Sequence, residues 1–179
     1  MRPRLRGMVK QSTTMLSLSL MGALVIIPVA VFFVVGSEEG ALAAPATLLL
    51  VAIPAAGAAV HVLLESIGYR VQPIAPGTPE DDARGQAVAR WQASMIQRFA
   101  LSESIAIVSL ALCFVVEQGG YVLLLLGCAT SLTLMAVHVF PWSRPVGKVA
   151  DALERDGARS GLREVFGQGG GPGGAIREL

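Results

Sequence analysis

Four long apolar runs, at residues 15–35, 41–64, 99–116 and 121–140, are separated by three polar connections. No Asp, Glu, Lys or Arg occurs across 11–37 or across 41–64. A bilayer core of ~30 Å takes about 20 helical residues at about 1.5 Å each, a length the first two runs meet and the last two approach. Barrel strands would instead alternate polar and apolar residues over about 10 positions. The pattern predicts an all-α chain with four transmembrane helices.

The connections differ in kind. Residues 36–40 (GSEEG) and 117–120 (EQGG) are short, so helices one and two form one hairpin and helices three and four a second. The connection at 65–98 is long. Pro73, Pro76 and Pro79 punctuate its first half, and residues 83–95 can continue as helix into the third span. Asp81 or Asp82 is the expected N-cap, because a carboxylate oxygen there can accept from first-turn amides. Trp91 is expected at the membrane interface, ring buried and N–H wet.

After the fourth span, Pro141 and Pro145 mark a stop, and 141–179 forms a tail. Val146, Val149, Leu153, Leu162, Val165 and Phe166 recur at about helical spacing among Lys148, Arg155, Arg159 and Arg163. This predicts an amphipathic C-terminal segment lying on anionic headgroups; Gly157 and Gly161 weaken it, and the alternative is a frayed, solvated tail. From Gly167 the chain is Gly-rich, as in a flexible linker.

Charge orients the four spans. Arg2, Arg4, Arg6 and Lys10 precede the first span, and Arg70, Arg84, Arg90 and Arg98 lie between the second and third. Arg144, Lys148, Arg155, Arg159, Arg163 and Arg177 follow the fourth, so all 14 basic residues fall on one side. Segments near span ends collect Lys and Arg on the cytoplasmic side. The expected location is the cell (inner) membrane, with residues 1–14, 65–98 and the tail cytoplasmic. The uncharged N-terminal stretch is longer than a secretory apolar core of ~7–15 residues, so it is read as an uncleaved helix.

Composition agrees: of 179 residues, 53 % are hydrophobic and 15 % charged, against about 25 % charged in an average soluble domain. The net charge of +1 carries no basic patch, which argues against a nucleic-acid partner. The expected partners are the lipid bilayer and other membrane proteins in a homo- or hetero-oligomer. On the second helix, Ala52, Ala55, Ala56 and Ala59 form a small-residue stripe that lets another helix approach closely. Pro28 and Pro54 each remove a mid-span helical bond and bend their helices. Cys113 and Cys128 fall inside spans and are read as small packing residues.

The candidate chemistry is sparse. Glu103 lies about 7–8 Å along the helix from Arg98, with apolar sequence beyond it. An acid at that depth is a functional candidate by default. His61 and Glu65 are four apart and can share one helix face, and His138 lies near the end of the fourth run. These four residues make a candidate ion or proton site near one membrane boundary. In one reading Glu103 is protonated, or bonds to Ser102, Ser104 or a histidine, and holds helices together. In another it carries a proton or cation. In a third the four residues bind zinc, which needs three helix rotations to converge and has no local motif behind it. No metal or cofactor is assigned.

Residues 92–107 (QASMIQRFALSESIAI) resemble the second helix of the ATP-synthase rotor-ring c subunit. Met95, Ala100, Leu101, Glu103, Ala106 and Ile107 match the pattern around that family's ion-carrying carboxylate. A small-residue-rich helix over 52–59 and a turn with Arg70 and Pro73 complete a similar hairpin, within about 41–116. The resemblance implies that Glu103 would be the ion-carrying acid. Arg98, a longer inner loop, two further helices and the lack of a regular Gly repeat depart from the family, so the chain is not read as a rotor-ring subunit. No nucleophile, nucleotide-loop or metalloprotease motif is present, which argues against an enzyme. The expected role is a structural or accessory subunit of a membrane complex, with a proton- or cation-coupled transport component as the alternative.

Overall fold

The computed structural model describes residues 3–168, so Arg2, Arg177 and the Gly-rich stretch 169–174 lie outside the described residues. Six helices follow in order: α1 (Pro3–Val35), α2 (Thr47–Ile67), α3 (Glu80–Val115), α4 (Gly120–His138), α5 (Ser143–Glu154) and α6 (Leu162–Val165). No strand occurs among the described residues. The first four helices are each long and apolar enough to cross a membrane, which accords with a membrane location. The described residues divide into two compact units: 18–68 with 96–139, and 3–17 with 69–95 and 140–168.

In the first of these, α4 is the central helix. It buries Leu123, Leu124, Cys128, Ser131, Leu134, Met135 and His138, whereas α2 buries Ile53, Gly57 and Leu64. Ile53, Ile105, Leu123 and Leu134 form one apolar cluster that joins α2, α3 and α4. Small residues set how closely the helices approach. A Cβ at Gly57 would collide with Thr130 Cγ2, and one at Gly127 with the Ser109 side chain. Across α3 and α4, the Ala106 N–H donates to Ser131 Oγ at 3.0 Å.

The two short connections meet at the far end of this unit. Gly119 N–H donates to Gly40 O at 2.8 Å, and Tyr121 N–H to Ala41 O at 3.3 Å. Gly119 has φ +71°, and a Cβ on it would lie 2.5 Å from Pro45 N, so the turn requires glycine on both counts. The apolar run that begins at Ala41 opens as turns and becomes helical at Thr47. Pro45 disfavours helical backbone at the residue before it, and Ala46, extended at ψ 130°, supplies the first acceptor, to Leu49 N–H at 2.9 Å. Pro28 sits inside α1, and its carbonyl accepts from Tyr121 Oη at 3.1 Å.

The other unit has its own core. On α3, Ala83, Ala87 and Trp91 recur every four residues. On α5, Val146, Val149, Ala150 and Leu153 follow the 3–4 spacing of one helix face. These side chains close over Tyr69, Ile74, Leu162, Val165 and Phe166. Ile74 N–H donates to Leu153 O at 2.9 Å, and Arg90 Nη1 binds the Gln72 and Pro73 carbonyls at 2.7 and 2.9 Å, fixing the proline-rich connection.

Three expectations are corrected here. The apolar face of the tail does not lie on headgroups; it is buried against α3 and the 69–74 segment. Arg163 is spent internally, 2.6 Å from Asp151 and 3.0 Å from Glu154, which lowers the charge left for lipid. The segment is also two helices rather than one, because α5 ends at Glu154 and Gly157 turns the chain at φ +89°. Trp91 is fully buried, 5.1 Å from the Phe166 ring, rather than interfacial. Helix α3 starts at Glu80, so Asp81 and Asp82 lie in its first turn rather than at the cap; Pro79 O accepts from Ala83 N–H at 2.9 Å. Their carboxylates still favour that helix end through its partial positive charge.

Candidate functional site

The packing of α2 on α4 brings both histidines of the chain together. His61 and Glu65 are one helical turn apart on α2, and His138 is the last residue of α4. His61 Nδ1 lies 2.9 Å from His138 Nε2, with ring centroids 4.9 Å apart and planes tilted by 53°. On the other side of the same ring, His138 Nδ1 lies 3.6 Å from Glu65 Oε1. The His138 side chain is wholly buried, Glu65 is partly exposed and His61 is exposed.

This arrangement constrains the protons. A nitrogen pair at 2.9 Å holds one hydrogen between two lone-pair positions, so one ring donates and the other accepts. If His138 keeps its proton on Nδ1, facing Glu65, its Nε2 accepts from His61. Carboxylate, buried imidazole and exposed imidazole then form a line along which a proton can be held or passed. One nitrogen from each ring and one carboxylate oxygen also make a donor set, all within 4.8 Å of one another.

Glu103 is not part of that group. The buried face of α3 runs through Arg98, Ser102, Ile105, Ala106 and Ser109. Glu103 follows Ser102 by one residue, about 100° around the helix, and is half-buried. Among the described residues its carboxylate has no hydrogen-bond or ion-pair partner. Ser102 and Ser104 do not serve it either: their hydroxyls donate to Arg98 O and Leu101 O, both at 2.8 Å. The single layer of four groups expected from the sequence is therefore a triad, with Glu103 apart from it.

Sequence reading used Arg98 as a depth marker and as a departure from the rotor-ring pattern, and gave it no place in the site. It was one base among those of a polar connection, yet its side chain is fully buried and its Nη1 donates to Gly68 O at 3.2 Å, at the end of α2. The signal available was its position, directly before the third apolar run. A cation on the final carbonyls of a helix interacts favourably with the negative end of the helix dipole.

Between α2 and α4 runs a shallow groove of about 300 Å³, with Pro54, Ala58, Thr133 and Val137 in its walls and His61 as its ionisable group. The Thr130 and Thr133 hydroxyls turn back onto Leu126 O and Ala129 O, leaving the lining largely apolar. Ala52, Ala55, Ala56 and Ala59 are all exposed, away from the α2 face that carries Ile53, Gly57 and Leu64. Comparison with family models, curated proteins and solved structures gives no match for this chain.

Proposed function

We propose that this protein is a non-enzymatic structural or accessory subunit of an assembly in the cell membrane, with both termini cytoplasmic. The observation that carries this reading is the exposure of Ala52, Ala55, Ala56 and Ala59 on a helix whose other face is already packed. Lipid tails are as apolar as a helix surface, so association in the bilayer draws on close packing, and small side chains permit it. The chain's own helices leave this stripe open, which suits a helix from a second chain. A carboxylate without a partner among the described residues, at Glu103, is likewise suited to a neighbour that supplies one.

Single cysteines at Ala52 or Ala56, in a chain whose Cys113 and Cys128 are replaced by Ala, should cross-link to a second polypeptide in native membranes. A cysteine at Phe33, also exposed and on α1, should not. Ala56→Leu should shift the complex to smaller species on a native gel. Equal cross-linking from all three positions, with no size change in Ala56→Leu, would remove the subunit reading.

The lack of a partner for Glu103 among the described residues also supports the alternative, a proton- or cation-coupled component. If that holds, infrared difference spectra in lipid should show the Glu103 carboxyl band change with pH or with added cation, and Glu103→Gln should erase it. A silent carboxyl throughout the physiological range would leave the structural role alone.

A further inference from the structure

We propose that His61, Glu65 and His138 bind a divalent transition ion of the zinc type at the shared end of α2 and α4. The inference is independent of the subunit reading and rests on the donor set and its placement. Two imidazoles and one carboxylate are characteristic ligands of zinc and its neighbours, whereas calcium and magnesium favour oxygen throughout. Helical spacing puts His61 and Glu65 on one face of α2, and the α2–α4 contact delivers His138 to them.

The geometry is close to what an ion needs. Zinc–nitrogen bonds are about 2.0–2.1 Å, so two ligands of a tetrahedral ion sit roughly 3.3 Å apart. The histidine nitrogens lie 2.9 Å apart and Glu65 Oε1 lies 3.6 Å from the other His138 nitrogen, while the three donors, one per residue, all fall within 4.8 Å of one another. Those two contacts use opposite nitrogens of His138, so small rotations of the outer side chains must bring the three donors to one point. Exposure at His61 and partial exposure at Glu65 leave room for such rotations, while buried His138 is the fixed anchor. Binding displaces the proton shared by the two rings, since both donor nitrogens must be bare to coordinate. Arg98, hydrogen-bonded to Gly68 O beyond Glu65, adds a positive charge at this helix end. Among the described residues the donor set has three members, so water or an anion takes the fourth position of a tetrahedral ion.

The chain has only two histidines, and both are here, which makes the test clean. The full protein, purified in detergent with a histidine-free tag, Cys113 and Cys128 replaced by Ala, is stripped with chelator and titrated with Co²⁺ and then Zn²⁺. The expected result is saturation at a single ion per chain in the micromolar range, with visible cobalt bands of a low-coordinate site that zinc abolishes. His61→Ala and Glu65→Gln alter exposed or partly exposed side chains and should keep the helical circular dichroism. Each should weaken binding by at least the ~10–100-fold that loss of an outer-shell partner brings. His138→Ala should abolish it. No saturable binding at micromolar metal, or equal binding by His61→Ala and Glu65→Gln, would overturn the site.

Discussion

Trp91→Ala should release the C-terminal segment and destabilise its unit by about 3–5 kcal/mol, the range for truncating a fully buried indole. Trp91 is completely buried, its ring packs at a tilt against Phe166, and it shares a core with residues of α5 and α6. Losses of that size rival the whole stability of a small unit, commonly about 5–15 kcal/mol. The released chain would present Arg155, Arg159 and Arg163 to trypsin, so limited proteolysis should cut the variant much faster than the parent. Phe166→Ala should reproduce the effect from the other side of the contact. Arg163→Ala is the informative contrast. Its ion pairs with Asp151 and Glu154 are partly exposed, and pairs of that kind are worth ~0–1 kcal/mol. If Arg163→Ala loosens the segment more than Trp91→Ala does, burial is not what holds it.

The second large effect concerns orientation and should be all-or-none. Cysteines placed at Ser37 and Gln118, in a chain without Cys113 and Cys128, should react with an impermeant maleimide on intact cells. Cysteines at Pro79 and Gln168 should react only after lysis. Ser37, Pro79 and Gln118 are exposed, so access by the reagent is set by the membrane rather than by the protein. The proposed orientation follows from the 14 bases on one side and the acidic short connections on the other. Labelling of Pro79 from outside would reverse it.

The sequence made the helical architecture legible because a long uncharged run has few other ways to satisfy its backbone in lipid. The same logic could not say what covers an amphipathic face. Val146, Val149 and Leu153 repeat as a stripe whether lipid or protein lies against them, and only the fold shows Trp91 and Ile74 doing so. Two of the triad's three members were equally readable as a pair. His61 and Glu65 share a face by spacing alone, but His138 joins them through packing between helices far apart in sequence. Glu103 marks the limit. One residue along α3 is about 100° of rotation, enough to separate an acid from the histidines at its own depth, and no local pattern encodes that rotation.

The paired connections at Gly40 and Gly119 have a consequence for biogenesis. Ribosomes deliver the chain from its N-terminus, so the carbonyls of Gly40 and Ala41 are in place before Gly119 and Tyr121 are made. Within the first hairpin Ala43 N–H already holds Gly40 O at 3.0 Å, so the second hairpin adds a further donor to Gly40 O and supplies one to Ala41 O. The order of synthesis thus makes the first hairpin a template, and the turn of the second closes the assembly like the last stitch of a seam.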